Sequence, residues 1–294
     1  MQFRVSRSIR ALVLPAVFAL GGCDVSVGNL TGRATEEITR TFPLAEGGEV
    51  RISNTNGRVD VQPGDGKTVE IRIEKIARAA TDVGAKELLP RINIKEDASP
   101  ELVSLETARM GGIMIGVSFE VRYHVRAPKN ATINATTTNG GILVTGMSGK
   151  VIAHTTNGGV TGKELTGGVE ARSTNGGVNL DMASVGIERI SARTTNGGVT
   201  LMVPESAKAD VTATCTNGGI VVSPDLKMEV FDQTRRRLEG RLNGGGSTAI
   251  ELHTTNGGVR IKPRGAMNAE ATDDNDDDRP PKPPKPPTAP KPPQ

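Results

Sequence analysis

The chain of 294 residues carries only six aromatic side chains against 36 glycines, which argues against an ordinary globular core, whose buried area leans on aromatics. Its formal charge is +3, yet residues 1–22 hold three Arg and no acid, so the remainder is close to neutral and lacks the basic footprint of a nucleic-acid partner. With Cys23 assigned to processing, Cys215 is left without a partner for an intramolecular disulfide.

The N-terminus reads as an export signal. Arg4, Arg7 and Arg10 precede an apolar run, Ala11 to Leu20, that is too short to span a bilayer. It ends in Leu20-Gly21-Gly22-Cys23, which resembles a lipobox, so residues 1–22 are expected to be a lipoprotein signal peptide and Cys23 the lipidated first residue. That predicts an extracytoplasmic protein held at a cell membrane and facing the periplasm, with Asp24 favouring the inner membrane. Residues 23–46 are polar and Thr-rich and suggest a flexible tether.

From residue 47 to 131 a less regular β region is expected. Val50-x-Ile52 leads through Asn56-Gly57 to Val59-x-Val61, and Val69-x-Ile71-x-Ile73 alternates cleanly. Residues 77–89 fit one short helix, weakened by Gly84 and stopped by Pro90. Further strands are expected around 92–94, 102–105, 113–117 and 119–125, with Phe119 and Tyr123 available to close one end of a stack.

Residues 132–265 are repetitive. Thr-Asn-Gly recurs at Asn56, Asn139, Asn157, Asn175, Asn196, Asn217 and Asn256, at intervals of 83, 18, 18, 21, 21 and 39 residues. The frame reads aliphatic-x-Ala-x-Thr-Thr-Asn, as in Val151-x-Ala153-x-Thr155-Thr-Asn157, followed by Gly-Gly and another aliphatic residue. Ile142, Val151, Val160, Val169, Val178 and Ile187 are each nine apart, giving half-units of nine and coils of 18 to 21. Columns of identical residues are what stacked coils produce. The expected fold is all-β, a parallel β-solenoid whose corners are Asn139, Asn157, Asn175, Asn196, Asn217 and Asn256. Roughly ten coils at about 4.8 Å each would make a rod on the order of 50 Å. The rival reading turns an antiparallel hairpin at each Asn-Gly, but it leaves the repeated columns unexplained. Residues 224–246 interrupt the pattern and carry Arg235-Arg236-Arg237, read as a surface excursion. Cys215, in the column that other coils fill with Thr or Ser, reads as a small buried residue.

Little in the sequence points to catalysis. No carboxylate recurs in register after Gly-Gly, as a calcium roll would need, and no metal or other cofactor is expected. The three histidines, His124, His154 and His253, lie near no nucleophile motif. If the coils stack, His154, Arg172 and Arg193 form an outward basic stripe able to hold an anion or an acidic glycan, with Glu170 as the one close acid. Glycoside cleavage would want a positioned pair of acids. Residues 266–294 hold the acidic run 273–278 and then Pro and Lys, a composition that cannot form a core and favours a disordered, extended tail.

The run Val125-Arg126-Ala127-Pro128, the Thr-Asn-Gly-Gly coils and the closing stretch from Leu242 to Ile261 resemble the DUF4097 family of adhesin-type β-strand-repeat proteins. The resemblance covers about residues 45–263 and implies a parallel β-solenoid on the cell envelope without an established activity. Many members carry Gly-Asp or Gly-Ser where this chain has Gly-Gly. Together these readings predict a non-enzymatic, lipid-anchored binding or scaffold protein. Its expected partners are the membrane, through the N-terminus, and an envelope polysaccharide or envelope protein. The alternatives are a polysaccharide-active β-helix enzyme and an envelope-stress accessory protein that binds membrane partners through its tail.

Overall fold

The computed structural model describes residues 30–108 and 116–265. The expected signal peptide, Cys23, the strand expected at 113–117 up to its last two residues, and the tail 266–294 therefore lie outside the described residues. In chain order the strands are β1 (Gly32–Pro43), β2 (Glu49–Ser53), β3 (Val59–Pro63), β4 (Thr68–Ala79), β5 (Ile94–Ala98), β6 (Leu102–Thr107) and β7 (Val117–Ala127). The repeat region adds β8 (Thr132–Asn139), β9 (Ile142–Thr145), β10 (Val151–Asn157), β11 (Val160–Leu165), β12 (Val169–Asn175), β13 (Val178–Met182), β14 (Ile190–Asn196) and β15 (Val199–Val203). The chain closes with β16 (Ala209–Asn217), β17 (Ile220–Val222), β18 (Met228–Gln233), β19 (Arg237–Leu242), β20 (Ala249–Asn256) and β21 (Val259–Pro263).

These strands build two facing sheets. Sheet A runs β1-β4-β7-β3-β9-β11-β13-β15-β21-β17, and sheet B runs β18-β19-β16-β20-β14-β12-β10-β8-β2-β6-β5. Each Thr-Asn-Gly copy gives one strand to sheet B, turns at Asn-Gly and gives the next strand to sheet A. The fold is a parallel β-solenoid. Neighbouring copies pair in parallel and in register, Val151 on Val169 and Asn157 on Asn175, for example, so the Asn-Gly turns are corners and not hairpins.

The stack differs from a simple succession. Its eight parallel coils, in spatial order, are β6/β7, β2/β3, β8/β9, β10/β11, β12/β13, β14/β15, β20/β21 and β16/β17, numbered coils 1 to 8 below. The last copy in the sequence thus lies between the two before it: β20 pairs with β14 on one side and β16 on the other. At the other end β2 sits between β6 and β8. The long intervals of 83 and 39 residues are not runs of extra repeats: the first holds coil 1 (β6/β7) and antiparallel strands, the second antiparallel strands. β4 pairs antiparallel with β7 and β1 with β4, while β5 flanks β6 and the β18–β19 hairpin flanks β16. The expected ten coils are therefore eight. The eleven strands of sheet B still span about 48 Å at 4.8 Å per step.

Two further expectations are corrected. Residues 23–46 are not all tether, because Gly32–Pro43 forms β1, paired with β4 along its whole length. Only Gly32 and Ala34 of β1 are buried, so main-chain hydrogen bonds hold an edge strand whose side chains read as solvated. The nine-residue beat also fails at its last beat. Ile187 is 80% exposed, because three extra residues before β14 shift the buried position to Ile190. The expected helix is confined to α1 (Asp82–Leu88), with Thr81 Oγ1 accepting from Gly84 N at 3.1 Å as its N-cap.

The core is a thin slab of stacked columns. Val50, Ile133, Val151, Val169, Ile190, Ile250 and Val211 form one; Val59, Ile142, Val160, Val178, Val199 and Val259 face them from sheet A, and all are buried. Burial of each such side chain is worth about 1.5–3 kcal/mol, and a single coil would leave these faces wet. Tyr123 closes the core in coil 1, fully buried with its hydroxyl 2.7 Å from Thr107 Oγ1.

Two ladders fix the corners. Asn139, Asn157, Asn175, Asn196, Asn256 and Asn217 each donate Nδ2 to the preceding Asn Oδ1 at 2.6–2.8 Å, in an unbroken chain that starts on Asn56. Behind it, the buried hydroxyls of Thr155, Ser173, Thr194 and Thr254 donate to the first Gly carbonyl of the neighbouring coil at 2.7–2.8 Å. This is why the first Gly of each pair is needed: a Cβ on Gly158 would overlap the Gly140 carbonyl. The second position is roomier, and in coil 2 it is Arg58.

Candidate functional site

The outward face of sheet B brings together the residues expected to form a stripe. His154 pairs with Thr136 and Arg172, Arg172 with Arg193, and Arg193 with His253. Coil insertion thus places His253, far off in sequence, directly beside Arg193, so four successive coils carry a basic or titratable group. Beside this column runs a second one of outward threonines, including Thr156, Thr174, Thr195 and Thr255. Between the two lies a groove of about 430 Å³.

The stripe is not an uncompensated charge. Glu170 accepts Arg172 Nη2 at 2.8 Å and lies 3.5 Å from His154 Nε2. That imidazole nitrogen is covered and makes no hydrogen bond, since 3.5 Å to the carboxylate is a proximity of charges and not a formed bond. Glu251 is held by Arg189 and by Arg193 at 3.3 Å. The Arg189 hydrogen bond, ahead of Arg193, keeps this carboxyl below its usual pKa. His253 Nδ1 is 2.8 Å from Thr214 Oγ1. Lys150, Arg172, Arg189 and Arg193 also surround a smaller recess of about 180 Å³ with Glu170. Four guanidinium or ammonium groups against two carboxylates leave the face cationic.

A larger concavity, of about 850 Å³, lies at the other face of the stack. The antiparallel strands β4 and β7 extend past the Asn56 corner and wall it with Ile76, Arg78, Phe119, Glu120, Arg122 and His124. Its floor is Arg58, Asp60, Leu143 and the paired glycines at 140–141 and 158–159. Sequence periodicity gives no sign of it, because it joins an antiparallel strand pair outside the repeat to corners inside it. The one available signal is Ile76, which falls at an outward position of β4, between Glu74 and Arg78.

Family comparison decides what this architecture is. The model of the Toastrack DUF4097 family matches residues 26–262. The chain is a member of that family. Comparison with curated proteins gives no match. Among solved structures, it is similar to a candidate cell-adhesion protein from Clostridium sporogenes, at 10% identity over 79% of this chain and 100% of that one, TM-score 0.46. A candidate adhesin from Bacteroides fragilis is 12% identical over 78% and 97%, TM-score 0.37. A candidate lipid-binding protein from Parabacteroides distasonis is 10% identical over 80% and 98%, TM-score 0.26.

Within this Toastrack chain the described residues include no group of three or more His, Cys, Asp or Glu able to hold a metal ion. No helix among them is long and apolar enough to cross a membrane. Cys215 is buried, with Sγ 3.8 Å from the Arg235 carbonyl. The Arg235–Arg237 run forms the tip of the β18–β19 hairpin, where the Arg236 carbonyl accepts from Cys215 N at 2.9 Å.

Proposed function

We propose that this Toastrack protein is a lipid-anchored, cell-envelope solenoid that works without catalysis, as an adhesin-like binding or scaffold surface for an anionic envelope polymer. The observation that carries the reading is the straight column His154–Arg172–Arg193–His253, lined by threonine hydroxyls on four successive coils. A linear polymer lying along the stack axis meets the same cation–hydroxyl step coil after coil. Weak contacts repeated on a rigid frame sum to useful avidity. Glu170 and Glu251, each tied to arginine, tune this surface and are not placed as a free acid pair. The reading places Cys23 as the lipidated residue, so that the stack stands on the periplasmic side, with Asp24 favouring the inner membrane. More than one acyl chain is needed for a stable anchor.

Two measurements test it. Cys23→Ser should move the protein from the membrane to the soluble fraction, and unchanged fractionation rejects the anchor. Retention on immobilised acidic glycan should fall at least tenfold when His154, Arg172 and Arg193 are all changed to Ala. Equal retention rejects the stripe.

A further inference from the structure

The large groove between the β4–β7 wall and the corners of coils 2 to 4 has its own chemistry, distinct from that of the stripe. Arg58 is fixed on Asp60 at 2.5 Å, and Arg122 on Glu120 at 2.6 Å and Glu74 at 3.6 Å. His124 Nδ1 lies 3.4 Å from Asp60. Arg78, exposed on the groove wall, meets no carboxylate among the described residues. Each neutralised pair still offers guanidinium N–H donors and unused carboxylate lone pairs. Asn56, at the end of the amide ladder, adds a further polar group, and no protein acceptor among the described residues takes its Nδ2.

Beside this polar set lies apolar surface. Leu143 on the floor and Phe119 on the wall are half-buried, while Ile76, on the outward face of β4, is closed off at 1% exposure. The volume falls in the range of small-ligand sites. A bare phosphate would use Arg78 but brings no hydroxyl donors for the free lone pairs of Asp60 and Glu120. A hydroxyl-rich ligand uses the carboxylates as acceptors, the guanidinium groups as donors and the aliphatic patch for its C–H face. One carboxylate on that ligand would complete a bidentate pair with Arg78.

We propose that this groove is a binding site for an acidic saccharide, with Arg78 taking the sugar carboxylate and Asp60, Glu120 and Arg58 its hydroxyls. The site is independent of the stripe on sheet B. Arg78 acts through its fork geometry as well as its charge, so Lys is a poor substitute.

The test is calorimetric titration of the full-length protein with a galacturonate tetramer, with inorganic phosphate as the second probe. The tetramer should bind the native protein, and phosphate should bind far more weakly. Arg78→Ala, a change at an exposed side chain, should weaken the tetramer at least tenfold, and Arg78→Lys should restore only part of that. With the stripe already disabled (His154, Arg172 and Arg193 changed to Ala), adding Arg78→Ala should still weaken the tetramer at least tenfold, which separates the groove from the stripe. Absence of tetramer binding, equal affinity for phosphate, or unchanged binding on Arg78→Ala in either background would each overturn the assignment.

Discussion

In coils 3 to 6 each inward residue has a near twin above and below it, and each corner is the same Asn-Gly-Gly. At the N-terminal end, by contrast, β1, β4 and β7 are long, antiparallel and unequal, and α1 covers part of them. The centre gains stability from sameness: identical columns satisfy one another's hydrogen bonds and leave no steps in the packing. The end region breaks that sameness, and a concavity of about 850 Å³ opens where it does. A flat repeated face offers a ligand one shallow step many times. A junction between unlike elements offers one deeper place once.

The sharpest way to break the contrast is at a corner. Gly140→Ala puts a Cβ into the Gly57 carbonyl and should cost about 3 kcal/mol or more, within the range of large backbone effects. Gly141→Ala meets its nearest atom, the Gly159 carbonyl, at an ordinary 3.5 Å and should stay within about 1 kcal/mol. Urea denaturation of the two variants checks the difference.

The end region answers to alkaline pH through one buried group. Burial pushes the Tyr123 hydroxyl up to about 12, partly offset by its bond to Thr107. Below pH ~10 the phenol is protonated both folded and unfolded, so stability is flat on its account. Above that value the unfolded chain releases the proton first, so stability falls with rising pH by about 2–3 kcal/mol once pH 12 is passed. Tyr123→Phe should remove this alkaline slope. It should also cost about 1 kcal/mol at neutral pH, because the buried Thr107 loses its partner. Thermal melts from pH 8 to 12 measure both effects.

Smaller effects are expected within the ladders. Asn157→Ala removes two side-chain bonds, to Asn139 and from Asn175. The ladder is exposed, so the expected loss is about 1 kcal/mol by chemical denaturation. Cys215→Thr restores the hydroxyl that the other repeats carry. It should change stability by no more than about 0.5 kcal/mol, with a sharper transition if the new hydroxyl finds the Gly257 carbonyl.

The centre of the fold was legible because its signal is local: a strand, a corner and a strand are written out in some twenty consecutive residues. The stripe was legible for the same reason, since its members share one frame position. Its completion by His253 was not, because frame position does not reveal spatial order. Nothing in the final Thr-Asn-Gly-Gly copy marks it as lying between Asn196 and Asn217 and not beyond Asn217. β1 was missed because edge pairing uses main-chain groups and leaves Thr, Glu and Arg on both sides. The groove was missed because Arg78 and Asn56 meet only through the pairing of β4 with β7 and of β7 with β3.

The insertion of coil 7 bears on how such a chain is made. Residues 249–263 are synthesised after every other described strand, yet they fill a slot between two coils whose residues were all available earlier. Until they arrive, coil 8 has no parallel neighbour on its inner side, and Ile250, Leu252, Val259 and Ile261 have no place but that slot. The stack therefore cannot grow to completion as a zipper from N- to C-terminus, and long-range pairing of this kind folds slowly. A nascent chain stalled near residue 245 would hold six ordered coils and two open faces. For a protein read as destined for export, that keeps the final closure waiting until the whole chain has emerged.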